Sequence, residues 1–88
     1  MQVSVPALSQ DHAAFGAAIR ELRSERGISQ EEMAYRSGLN RGYYGDVERG
    51  ERNVSYANIL KISRALEVSA SHVLLRAEDL SAGRLERT

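Results

Sequence analysis

The sequence predicts an all-α fold, a compact bundle of five short helices. Three observations carry that prediction. A capping residue set between two apolar residues recurs four times between positions 28 and 73. Glycines at 27, 38 and 50 follow predicted helices, where a left-handed cap residue is wanted. Within each segment the apolar residues recur at spacings of three and four, which is one face of a helix.

Helix one is expected over 12–26, with Phe15, Ile19 and Leu22 on its inner face. Helix two, over 29–37, opens on a capping box: the Ser29 oxygen accepts the Glu32 amide and the Glu32 side chain reaches back to the Ser29 amide. Ile28 and Met33 staple that start, and Met33 and Ala34 face inward. Helix three, over 40–49, is capped by Asn40 between Leu39 and Tyr44, and turns Tyr44 and Val47 inward. Helix four, over 55–66, is capped by Ser55 between Val54 and Ile59. It offers Ile59, Ile62 and Leu66, with Leu60 and Tyr56 alongside. Helix five, over 69–75, is capped by Ser69 between Val68 and Val73, and offers Val73, Leu74 and Leu75. None of these helices is long enough to stand alone in water, so their apolar faces must meet in one core. Four capped starts leave little room for strands. The expected organisation is an N-terminal arm at 1–11, where Val3 and Val5 permit a short strand, a domain at 12–76 and a polar tail at 77–88.

Composition excludes several functions. A chain of 88 residues is one domain with a core of modest depth. There is no cysteine, and His12 and His72 are far apart in sequence, so no metal site and no cofactor are expected. No nucleophile–base pair or phosphate loop points to an enzyme. No apolar run approaches the roughly 20 residues of a membrane span, and the N-terminus lacks a secretory pattern, so a cytoplasmic protein is expected. The net charge is zero, yet residues 20–64 hold nine basic and seven acidic side chains, a local +2. Eleven of the twelve basic residues are arginine, whose planar fork matches phosphate and guanine edges, although a compositional bias of the genome gives the same excess.

The segment 29–48 carries the chemistry. Its two helices are joined by Gly38-Leu39-Asn40, a turn short enough to force a sharp angle, and Ala34 lets them approach. This is helix-turn-helix geometry, in which the second helix can enter a DNA major groove. The outward face of helix three is then Arg41, Gly42, Gly45, Asp46 and Arg49, with Tyr43 at its edge. Two glycines inside one helix cost roughly 1 kcal/mol each relative to alanine. Either a base-pair edge comes close to them or they serve helix packing. Arg41, in the first turn, suits a bidentate contact to guanine if it is not merely solvated. The helix N-termini at Gln30 and Arg41 favour phosphate, and Arg36, Arg49 and Arg52, with Arg23 or Arg26, are candidates to add phosphate contacts.

The run SQEEMAYRSGLNRGYYGDVERGERNVS, with FGAAIRELRSERGI before it and ILKISRALEVSASHVL after it, resembles the Xre/Cro-type helix-turn-helix regulators. These include phage repressors and the controller proteins of restriction–modification systems. The resemblance implies a lambda-repressor-like domain of five helices, with double-stranded DNA, a second copy of the chain and RNA polymerase as partners. It implies base contacts from Arg41, Gly42, Tyr43 and Asp46, and backbone contacts from Gln30, Arg52 and Asn53, with Arg23 reaching phosphate as well; Arg36 and Arg49 join the backbone set on their charge alone. Asp46 would accept from cytosine or be steered by an arginine, and Glu48 would pair with Arg23. The sequence departs from the pattern at Val54, where proline is common, at Glu67, where glycine often ends helix four, and at Ser37, commonly apolar. A two-fold dimer would set half-sites about 34 Å apart. Its seam is expected at Val73, Leu74, Leu75 and Leu80, unless these residues simply finish the monomer core. The alternative function is a protein-interaction module that keeps the fold without binding DNA, with Tyr43, Tyr44 and Tyr56 facing a partner.

Overall fold

The computed structural model describes residues 6–83. Five helices follow one another there: α1 (Gln10–Glu25), α2 (Gln30–Ser37), α3 (Arg41–Glu48), α4 (Tyr56–Leu66) and α5 (Ala70–Ser81). The expectation for Val3 and Val5 in the arm, and the end of the tail at 84–88, lie outside the described residues.

Every helix begins on a side-chain cap. Ser29, Asn40, Ser55 and Ser69 accept the amides of Glu32, Tyr43, Asn58 and His72, as the capping pattern requires. Ser9 does the same for His12, which starts α1 two residues earlier than expected. That cap lacks the apolar pair of the other four, because Leu8 is opposed only by Ala13. Glu32, expected to reach back to the Ser29 amide, instead accepts from Arg36 Nε at 2.9 Å.

Gly27, Gly38 and Gly50 all take positive φ just beyond their helices. Glu67 does so too, at φ 61, and ends α4 without glycine's freedom. The strain of a left-handed residue carrying a Cβ is roughly 1–2 kcal/mol. Ser37, the polar residue at a commonly apolar position, is buried but satisfied: its hydroxyl donates to Met33 O at 2.7 Å.

α5 is longer than its expected range of 69–75. It continues to Ser81 because it runs along α1, with Ala77 buried in the contact. Arg76 donates to Glu21 at 3.0 Å and to Glu25 at 2.9 Å, tying the two helices side by side. Residues 77–81 thus belong to the helix rather than to the tail. The sequence understates this segment because the residue that packs is small and its neighbours are polar.

The core contains Ile19, Leu22, Met33, Tyr44, Val47, Ile62, Leu66 and Val73, contributed by all five helices. Val73 is fully buried, whereas Leu74 and Leu75 stay 42% and 57% exposed. Of the alternatives for this helix, Val73 finishes the monomer core and the two leucines do not. Tyr56, expected alongside the core, is 73% exposed.

One close approach orients α3. A Cβ on Gly16 would stand 2.2 Å from Glu48 O and 2.6 Å from Val47 O. A Cβ on Gly50 would fall 2.8 Å from the Ala13 backbone. α1 therefore lies directly against the C-terminal end of α3, with no side chain between them.

Gly16→Ala should force that crossing apart and cost about 1–3 kcal/mol or more, read as a lower urea midpoint. An unchanged midpoint would show that the crossing can relax at no cost. Glu67→Gly should relieve the left-handed strain and, after the added chain entropy of glycine, raise stability by about 0.5–1 kcal/mol in the same assay.

Candidate nucleic-acid interface

α2 and α3 meet across Gly38-Leu39-Asn40, with Gly38 left-handed at φ 71 and the Leu39 amide donating back to Ala34 O at 3.0 Å. Beneath that turn lies a carboxylate. The Glu48 side chain is 1% exposed and accepts four hydrogen bonds. They come from Arg23 Nε at 2.7 Å, Arg23 Nη2 at 3.1 Å, Gln30 Nε2 at 2.9 Å and the Tyr44 hydroxyl at 2.6 Å. One anion thus joins α1, α2 and α3. Burial works against its charge, but the bonds from Arg23, Tyr44 and Gln30 outweigh burial and hold Glu48 below the usual carboxylate range. Burial, with the bond to Glu48, pushes the Tyr44 phenol far up, so it remains a donor.

Two residues expected at phosphate are therefore engaged inside the protein. Arg23 also donates Nη1 to Ile28 O at 2.9 Å, so its guanidinium is held by Glu48 and the backbone rather than presented to solvent. Gln30 is half-buried, with its amide nitrogen on Glu48 and its oxygen toward Gly45. Arg36 stands apart from α3. It pairs with Glu32 and lines a cleft with Arg26, Leu66 and Glu67.

The outer face of α3 is bare at its start. Arg41 and Gly42 are both exposed, and Arg41 has no carboxylate partner among the described residues. A Cβ on Gly42 would meet only the capping Asn40 side chain, at 3.2 Å, so this glycine does not serve helix packing. Gly45, expected outward, is buried: the Arg49 guanidinium lies across it, with Nη1 3.4 Å from where its Cβ would be.

Asp46 does not present a free carboxylate to a base. It pairs with Arg49 Nη2 on one oxygen and with Arg52 Nε at 3.1 Å on the other. Arg49 Nε also holds Glu51 at 3.1 Å. The Arg52 guanidinium lies 5.6 Å from the centroid of the Tyr43 ring. Tyr43 is half-buried, and its hydroxyl accepts from Asn58 Nδ2 at 3.1 Å, which places this side chain at the junction of α3 and α4. Asn53 is tied to α1: its Oδ1 lies 3.0 Å from His12 Nε2, and His12 Nδ1 lies 2.6 Å from Ser9 Oγ. No local signal marks His12, because its partner lies across the fold. The structure thus gathers Arg41, Gly42, Tyr43, Asp46, Arg49 and Arg52 on one face, with Gln30 and Asn53 at its margins.

A helix-turn-helix family model matches residues 19–73. This chain belongs to that family. Control protein C.BamHI of Bacillus amyloliquefaciens is 48% identical over 61 residues, covering 68% of this chain and 75% of that protein. The solved restriction-modification controller protein C.AhdI from Aeromonas hydrophila is 49% identical, with a TM-score of 0.73 over 74% of this chain and 98% of its own. The controller protein C.Esp1396I, solved as a tetramer with its natural 35 base-pair operator, is 30% identical with a TM-score of 0.78, covering 84% of this chain and 97% of its own. The helix-turn-helix assignment rests on α2 and α3, the two helices that the Glu48 network holds in register.

Because the folded Glu48 titrates below its unfolded value, its contribution is fully present above the ordinary carboxylate range and is lost as pH falls through its folded value. Tyr44→Phe removes one of its four donors. The variant should lose about 1–3 kcal/mol at pH 7 and begin to lose stability at a higher pH than the parent, measured by urea midpoints across an acid series. An identical acid profile would show that Tyr44 does not support the Glu48 charge.

Proposed function

We propose that this helix-turn-helix protein is a sequence-specific DNA-binding transcriptional regulator that grips a pseudo-palindromic operator as a homodimer, with α3 in the major groove. The exposed Arg41–Gly42 end of α3 carries the reading. A cation without a carboxylate partner among the described residues, beside a position with no side chain, is what a helix needs to approach base edges closely. The bidentate fork of Arg41 suits guanine, and Gly42 leaves room beside it. The exposed α3 amides favour a phosphate. Arg52, Arg49 and Asn53 flank that end and are the candidates for the sugar–phosphate backbone, which positions the protein while base edges supply the choice of sequence. Tyr43, with its ring under Arg52 and its hydroxyl on Asn58, fits a backbone contact beside the bases better than a contact deep in the groove. Arg23 and Arg36 leave the contact set, the first because Glu48 holds it and the second because it stands away from α3.

A single small module reads too little DNA for strong selectivity, and a dimer repeats the reading one helical turn away. Leu74 and Leu75 supply an exposed apolar face on α5 for such a seam, with half-buried Leu80 at its end. The operator complex of C.Esp1396I, a relative of the same fold, supports the assignment of duplex DNA as ligand.

Duplexes selected from a random pool should show tight, salt-sensitive binding. Arg41→Ala should cost about 1–3 kcal/mol on the selected sequence and relax one base preference. Arg52→Ala should weaken all duplexes alike and flatten the salt slope by about one unit. Failure to enrich any sequence, with no salt-dependent binding, would refute the proposal.

A further inference from the structure

Asp46 lies one turn after Gly42, in the middle of the face that carries Arg41. Its two oxygens hold Arg49 Nη2 and Arg52 Nε, and Arg49 Nε also holds Glu51. The charges of these four groups cancel, so among the described residues of this face Arg41 supplies the net positive charge. The arginine side of the pairing is exposed: Arg49 and Arg52 are each just over half exposed, while Asp46 is 24% exposed. Such ion pairs are individually weak and can exchange one anion for another. A phosphate that takes the Nε of Arg49 or Arg52 must displace a carboxylate, and one that takes a remaining Nη group binds directly beside it. That carboxylate then remains within a Debye length, about 8 Å at physiological salt, of the incoming backbone.

We infer that Asp46 is a positioning residue that sets the affinity threshold for DNA: it competes with phosphate for Arg49 and Arg52, lowers the affinity for every duplex alike, and so leaves duplexes that offer Arg41 no matching base only weakly held. A non-cognate duplex gains only phosphate contacts, and Asp46 opposes those. A cognate duplex adds the base contacts of α3, which Asp46 does not oppose. The same carboxylate fixes Arg52 against Tyr43, so the arginine is held in place before DNA arrives. The inference rests on the DNA-binding reading and assigns Asp46 a role opposite to that of a base-reading acceptor.

The test is Asp46→Asn, which keeps the shape and removes the charge. Dissociation constants are measured on a random-sequence duplex and on a duplex selected by the parent protein, between about 50 and 200 mM salt. Affinity for both duplexes should rise roughly three- to tenfold, the salt slope should steepen by about one unit per protomer, and the ratio of selected to random affinity should stay near that of the parent. Glu51→Gln, which removes one of the two carboxylates on Arg49, should move the same quantities in the same direction by less. Unchanged affinity and slope on the random duplex would overturn the inference. A loss confined to the selected duplex would also overturn it and assign Asp46 to a cytosine amino group instead. If the parent binds neither duplex, the functional reading falls and the inference falls with it.

Discussion

The orientation of α3 depends on one buried carboxylate. Glu48 accepts two bonds from Arg23 on α1, one from Gln30 on α2 and one from Tyr44 on its own helix. Removing one partner of such a pair costs roughly 3–5 kcal/mol, because the other is left charged and unpaired in a low-dielectric setting. A purely apolar contact would hold the helices together but would permit sliding. The fixed geometry of four donors around one anion admits a single arrangement, and it sets how far α3 projects beyond α2. The network adds specificity of packing to a small core that hydrophobic burial alone would hold less exactingly.

The backbone crossing at Gly16 acts at the same place from the other side. α1 presses on the carbonyls of Val47 and Glu48, the last residues of α3, while Glu48's own side chain reaches back to Arg23. The C-terminal half of α3 is thus held by main chain and by charge together. Its first two residues, Arg41 and Gly42, carry neither constraint and face solvent. A helix held at one end and bare at the other suits contact with a polyanion: rigidity comes from the protein and the free surface is left for the ligand.

Charge is arranged in the same spirit. The chain is neutral overall, so long-range attraction to DNA is weak and the local distribution decides. Arginines that would otherwise form a basic patch are matched by carboxylates: Arg23 by Glu48, Arg36 by Glu32, Arg76 by Glu21 and Glu25, and Arg49 and Arg52 by Asp46. On the face of α3, Arg41 therefore stands out by its lack of a carboxylate partner among the described residues rather than by the size of its charge.

What the sequence determined alone was local. Ser29, Asn40, Ser55 and Ser69 announce helix starts because a cap and its flanking apolar pair lie within six residues of each other, and a glycine announces an end because only its own φ is at stake. Those signals suffice for the helix order, the turn between α2 and α3 and most of the core. Contacts that cross the fold were decided by tertiary structure. α5 runs to Ser81 because α1 lies beside it, and Arg23 turns inward because Glu48 waits beneath the turn. Asn53 meets a histidine 41 positions away. Asp46 gives its oxygens to two arginines, both beyond the end of its own helix. A charged side chain in sequence states what it can bind. Which partner it meets is fixed only when helices cross, because an ion pair needs atoms within about 4 Å and helix periodicity reaches no further than its own face.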